Sequence, residues 1–141
     1  MKTLIVEDDF TNQCYLQTIL SPFGASHIAV NGHKAVEAFC QAAESMQPFD
    51  LICMDIMMPL KNGLDALKEI RGREAFWKAG FKATMTDSVK VIMITANAGR
   101  ANMESAFDAK CDGFLAKPVD RVKLVDLIRA FGLIPLRIKN R

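Results

Sequence analysis

Five short apolar runs recur along the chain, and a segment of helical periodicity follows each of them. Lys2 to Val6 is aliphatic and β-branched and ends in acids. Residues about 10 to 21 then place Phe10, Cys14, Leu16, Ile19 and Leu20 at helical spacing, until Pro22 and Gly24 stop the helix. His27 to Val30 reads as a second strand, closed by the turn pair Asn31-Gly32. A helix over about 33 to 45 carries Ala35, Val36, Ala38, Phe39 and Ala42, and Pro48 breaks the chain behind it. Leu51 to Met54 and Val89 to Ile94 are apolar without alternation, as in strands covered on both faces. Between them, Leu64, Leu67 and Ile70 mark a short helix over about 64 to 71. A helix over about 99 to 109 leads to a fifth strand, Gly113 to Ala116. A last helix, about 120 to 131, carries Val122, Leu124, Val125, Leu127, Ile128 and Phe131 and stops at Gly132.

This is βα repeated five times, which predicts a parallel sheet with helices on both faces. Ligands of such sheets sit outside the carboxyl ends of the strands. The polar islands of this chain fall there: Glu7-Asp8-Asp9, Asp55 within Met54 to Pro59, Thr95, and Lys117-Pro118. Carboxylates, a hydroxyl and an ammonium converging on one edge suit a metal and a phosphoryl group.

Each residue also has a plainer reading. Adjacent Glu7 and Asp8 repel unless a cation lies near them, and hard cations such as Mg²⁺, or Mn²⁺ in its place, take oxygen ligands. The alternative is a solvated helix start, and Asp9 suits an N-cap better than a metal. Asp55 beside a divalent cation can act as a nucleophile toward phosphorus; otherwise it is a turn aspartate. The Thr95 hydroxyl can reach a phosphoryl oxygen or close a local ST-turn. Lys117 offers a compact charge to phosphate, or is an exposed surface lysine. Their joint placement on strand ends favours the chemical readings.

The totals fit one domain. At 141 residues the chain buries roughly 68% of its unfolded surface. A net charge of +2 gives no argument for nucleic acid, and no apolar run approaches the ~20 residues of a membrane span. Cys14, Cys40, Cys53 and Cys111 are scattered without a CxxC pair, against zinc and consistent with a reducing cytosol. Cys53 reads as a small core residue. The start shows no signal peptide, so a cytoplasmic location is expected.

The set Glu7-Asp8, Asp55 in Asp-Ile-Met-Met-Pro, Thr95-Ala96 and Lys117-Pro118, with Phe114 at the aromatic switch position, resembles the receiver domains of two-component response regulators. The resemblance spans about residues 2 to 131. It implies a flavodoxin-like sheet of order 2-1-3-4-5, with a receiver over 1–132 and a short basic tail over 133–141. Mg²⁺ would be held by Glu7, Asp8, Asp55 and the backbone carbonyl of Met57, with Asp8 favoured over Glu7 as a direct ligand. Asp55 would accept a phosphoryl group from a sensor histidine kinase or from acetyl phosphate, while the metal and Lys117 neutralise charge. Thr95 and Phe114 would then switch a protein-binding face, and Lys117-Pro118 would be cis. The domain would catalyse only its own phosphorylation and dephosphorylation.

Glu7 stands where an Asp is common, and Met57 and Asn97 occupy positions that tune phosphoryl lifetime in the family. Only about ten residues follow 131, so a stand-alone receiver is expected. Its partners would be a kinase and a downstream protein or a histidine phosphotransfer protein. It would act as a monomer or a weak activation-dependent dimer, without direct nucleic-acid or membrane binding. A Mg²⁺-dependent phosphohydrolase is disfavoured because Met57 stands where a second aspartate would act. A flavin module is disfavoured because Glu7-Asp8-Asp9 would repel the phosphate. The stretch over 72–88 carries Phe76, Trp77 and Phe81, and an extended third helix packing back on the domain is favoured over a docking patch. The basic ending Leu136 to Arg141 is read as a frayed tail.

Overall fold

The computed structural model describes residues 1–81 and 87–136. Its five strands are β1 (Thr3–Val6), β2 (Ser26–Ala29), β3 (Leu51–Asp55), β4 (Lys90–Thr95) and β5 (Gly113–Ala116). They form one parallel sheet of order β2-β1-β3-β4-β5. The helices are α1 (Phe10–Leu20), α2 (Gly32–Glu44), α3 (Gly63–Phe76), α4 (Arg100–Asp108) and α5 (Arg121–Ala130).

Parallel strands need a crossover each, and here helices supply them on both faces. Leu4, Val6, Ile52, Met54, Val91 and Met93 meet α2, α3 and the small residues of α4 on one face. Ile5, Leu51, Cys53, Ile92 and Ile94 meet Leu16, Ile19 and Leu20 of α1 and Leu124 and Ile128 of α5 on the other. Every residue of β1 and β3 is buried, which explains their unbroken apolar runs. Burying each such side chain contributes about 1.5–3 kcal/mol.

Helix starts are set by side-chain caps. Asp9 accepts from the Asn12 amide, Asn31 from Lys34, Asn62 from Asp65 and Asp120 from Val122 and Lys123. Each satisfies an amide that has no intrahelical partner, worth about 1 kcal/mol. The strands and helices fall within a residue or two of their expected bounds, with one exception. α3 runs to Phe76 and the chain continues through a further turn, Trp77–Phe81, that kinks at Gly80, where φ is 135°. Trp77 is buried and stacks on Phe39 with ring centroids 5.6 Å apart. Buried Glu74 accepts from the Val89 amide at 2.8 Å and pairs with Arg71 at 2.8 Å. The extension therefore packs back on the domain, as favoured. Phe76 points outward, and residues 82–86 of this stretch lie outside the described residues.

Some apolar positions read as core are not. Phe10 and Cys14 on α1 and Val122 on α5 are exposed. A helix lying on a flat sheet buries only the i, i+3/i+4 stripe that faces it. α1 buries Leu16, Ile19 and Leu20, and α5 buries Leu124 and Ile128. The basic ending falls largely in 137–141, outside the described residues.

Candidate functional site

The carboxyl ends of β1, β3, β4 and β5 bring the expected residues to one sheet edge. The β1 ladder continues past Val6, since the Glu7 amide donates to Ala29 O at 3.0 Å. The Glu7 carbonyl accepts from the Gln13 side chain at 2.8 Å, so both backbone groups of Glu7 are held. Its side chain is buried at 1% exposure, although a glutamate is seldom fully buried without a partner. The partner is Lys117, whose ammonium lies 2.9 Å from Glu7 Oε2 and 2.9 Å from Asp55 Oδ2.

Lys117 is thus no surface lysine. The parallel ladder carries it there: its amide donates to Thr95 O at 2.9 Å, and the Lys117-Pro118 bond is cis. Tyr15 on α1 donates its hydroxyl to Val119 O at 2.7 Å, tying the following turn down. A cavity of about 290 Å³ lies beneath it, between α1 and the segment Lys117 to Val119.

Asp55 is 5% exposed, and both its oxygens are engaged. Oδ2 meets Lys117, and Oδ1 accepts from the Met57 amide at 3.0 Å. Gly63 is required behind it. A Cβ there would sit 2.2 Å from Asp55 O, because the α3 start folds tightly over the strand end. Asp8 is exposed. One carboxylate oxygen from each of Glu7, Asp8 and Asp55 lies within 4.8 Å of the others. Three carboxylate oxygens of this kind form a hard donor set that suits a divalent cation. Asp9 stands apart as the α1 cap.

Burial pushes the Glu7 carboxyl up, the Lys117 hydrogen bond pulls it back, and the Asp55 charge pushes it up again; the net direction is upward. For Lys117 burial opposes the charge, but the hydrogen bonds to Glu7 and Asp55 outweigh it, and the ammonium is held above its usual range.

Thr95 is fully buried, and its hydroxyl accepts from the Asn97 amide at 3.1 Å, the local ST-turn contact. Asn97 also accepts at Oδ1 from the Gly99 amide and at its carbonyl from the Asn102 side chain. Phe114 is half-buried, two residues before Ala116, which pairs with Thr95; it packs on the α2–α3 side of the core. Sequence reasoning missed Gln13, Tyr15 and Asn102. Each acts by one hydrogen bond to backbone, which no spacing reveals.

The family model described as response regulator receiver domain matches residues 3–129. The chain belongs to this receiver family. Among its relatives is hybrid signal transduction histidine kinase G of Dictyostelium discoideum, 33% identical over 99% of this chain but only 4% of that protein's length. The receiver domain of Saccharomyces cerevisiae Ssk1, solved with the histidine phosphotransfer signaling protein Ypd1, is 28% identical with TM-score 0.76, covering 99% of this chain and 94% of that one. The receiver domain of Pseudomonas aeruginosa PA1611, with magnesium coordinated in its active site cleft, is 30% identical with TM-score 0.70, covering 93% and 97% of the two chains. The receiver described here is therefore a two-component signalling domain. Among its described residues, no helix is long and apolar enough to cross a membrane.

Proposed function

We propose that this receiver accepts a phosphoryl group on Asp55 from a phosphohistidine donor in a Mg²⁺-dependent reaction, and that the modified site switches a protein-binding face. One observation carries the reading: a buried aspartate at a strand end, 2.9 Å from a half-buried ammonium and within a three-carboxylate cluster. Perturbed, mutually opposed charges in such a cleft are a mark of working sites.

The chemistry is a displacement at phosphorus. An Asp55 carboxylate oxygen attacks, the P–N bond of the donor breaks, and its electron pair leaves with the imidazole nitrogen. Lys117 already touches Asp55, so its ammonium is in place for a phosphoryl oxygen formed there. Glu7, Asp8 and Asp55, with the Met57 carbonyl, would hold the cation. When bound, Mg²⁺ would neutralise charge on the phosphoryl oxygens. Thr95 then exchanges the Asn97 amide for a phosphoryl oxygen, now as donor, and Phe114 follows inward. The two states differ only by what these contacts differ in energy.

Phe10, Met57 and Leu60 are 75%, 66% and 84% exposed around the site edge. An apolar rim about a polar centre suits protein docking. The reading gives a sensor histidine kinase or a histidine phosphotransfer protein as donor and a downstream protein as target. The chain acts in the cytoplasm, as a monomer or a weak dimer formed on activation. The Ssk1–Ypd1 complex supports a phosphotransfer protein as one partner, and the magnesium in the PA1611 receiver supports the metal. The test is transfer of labelled phosphate from a phosphorylated histidine phosphotransfer protein. Wild type gains label in Mg²⁺ and Asp55→Asn does not; equal labelling of both overturns the assignment.

A further inference from the structure

We propose that Asn102 is a positioning residue that latches the turn between β4 and α4 and thereby holds Thr95 in its resting contact. The proposal rests on the reading of Thr95 as a phosphoryl partner. Nothing in that reading assigns a role to α4's own side chains.

The observations form a chain of single hydrogen bonds. The Asn97 amide occupies the Thr95 hydroxyl at 3.1 Å. The Asn97 side-chain oxygen accepts from the Gly99 amide at 3.3 Å, so Asn97 is turned toward the helix start. The Asn97 carbonyl accepts from Asn102 Nδ2 at 2.8 Å, the shortest bond of the three. A Thr95 side chain that swings toward the acidic site gives up its contact with the Asn97 amide. The residue that carries this amide is fixed at its carbonyl from α4, five residues along the chain, by Asn102.

α4 itself is loosely seated at this end. Its N-cap, Gly99, offers no side-chain hydrogen bond, and the helix buries Ala106 alone, while Met103 and Phe107 are 42% and 47% exposed. Its far end is fixed differently. Arg71 on α3 donates to Lys110 O at 3.0 Å and pairs with Asp112 at 2.9 Å, and Asp112 also accepts from the Val91 amide at 2.8 Å. The helix is clamped behind its C-terminus and held by Asn102 near its start. A change at Thr95 is therefore free to move the N-terminal end of α4, and Asn102 sets how readily it does.

Losing the latch weakens the resting state alone, so it shifts the equilibrium without touching the acidic site. A neutral hydrogen bond of this exposure corresponds to a shift of about two- to tenfold. The test uses the whole chain and the phosphoryl mimic beryllofluoride with Mg²⁺. Asn102→Ala is expected to bind beryllofluoride two- to tenfold more tightly than wild type. Asn102→Asp, which keeps the shape and loses the donor, moves in the same direction. Affinity for Mg²⁺ alone stays unchanged. In the Mg²⁺-only protein, the NMR signals of Thr95 and Phe114 move toward their beryllofluoride-bound positions. If wild type binds beryllofluoride and both variants match it in affinity and in those signals, the latch is refuted while the reading of the site stands. If wild type does not bind beryllofluoride at Asp55, the reading falls and the latch with it.

Discussion

Replacing Lys117 by Met removes the ammonium between Glu7 and Asp55 and keeps an unbranched stem of four atoms. Both carboxylates stay behind, 1% and 5% exposed, facing each other. Two hydrogen bonds to charged groups, both 2.9 Å long, are lost, at about 1.5–3 kcal/mol each. Against this, the ammonium no longer has to be desolvated. Glu7, already pushed upward by burial, can also take up a proton. The net loss is about 3 kcal/mol, the low end for breaking a buried pair. Urea unfolding at pH 7 in chelator should show it, and thermal unfolding should give a melting temperature lower by about 10 °C. Saturating Mg²⁺ supplies the missing countercharge, so the loss should shrink to about 1 kcal/mol. By linkage, the difference of about 2 kcal/mol means that Mg²⁺ binds the variant about thirtyfold more tightly than wild type. In wild type, the stability that Lys117 carries is complete below its ordinary 10.5 and is lost as pH rises through the higher folded value. An equal loss with and without Mg²⁺, or a loss under about 1 kcal/mol in chelator, would refute the countercharge reasoning.

Gly63→Ala drives a methyl group to 2.2 Å from Asp55 O, so it should cost about 1–3 kcal/mol and weaken Mg²⁺ binding, read by denaturation and metal titration. Trp77→Ala empties the stack on Phe39 and should cost about 3 kcal/mol, with phosphoryl acceptance by the folded variant unchanged. An unchanged stability with a weakened partner would instead make Trp77 a docking residue. Burial pushes the Cys53 thiol up to about 12, so iodoacetamide at pH 8 should label exposed Cys14 well before Cys53, read by peptide mass. The unfolded thiol ionises first, near 9, so this buried group makes stability fall as pH rises above that value.

Much of this was legible in the sequence because it rests on period and punctuation. Unbroken apolar runs such as Leu51 to Met54 require a strand covered on both faces, and five of them with helical segments between leave few topologies. The site was legible because a parallel sheet puts every strand's carboxyl end on one edge. Depth was not. Neither the near-complete burial of Glu7 nor the double engagement of Lys117 follows from residue type. The outward placement of Phe10 and Val122 depends on which way a helix lies on the sheet, which an apolar count cannot fix. The extension of α3 was legible, but what anchors it was not, because Arg71 and Glu74 look like surface charges until Val89 and Asp112 arrive from distant segments. The ST-turn contact of Thr95 does not exclude the proposed chemical role: it is the contact which that role would exchange.

The most direct measurement is the intact-protein mass after incubation with acetyl phosphate, with and without Mg²⁺, for wild type and Asp55→Asn. The account predicts a gain of one phosphoryl group that needs both Mg²⁺ and Asp55. A gain that persists in Asp55→Asn, or no gain in wild type together with no beryllofluoride at Asp55, would contradict it.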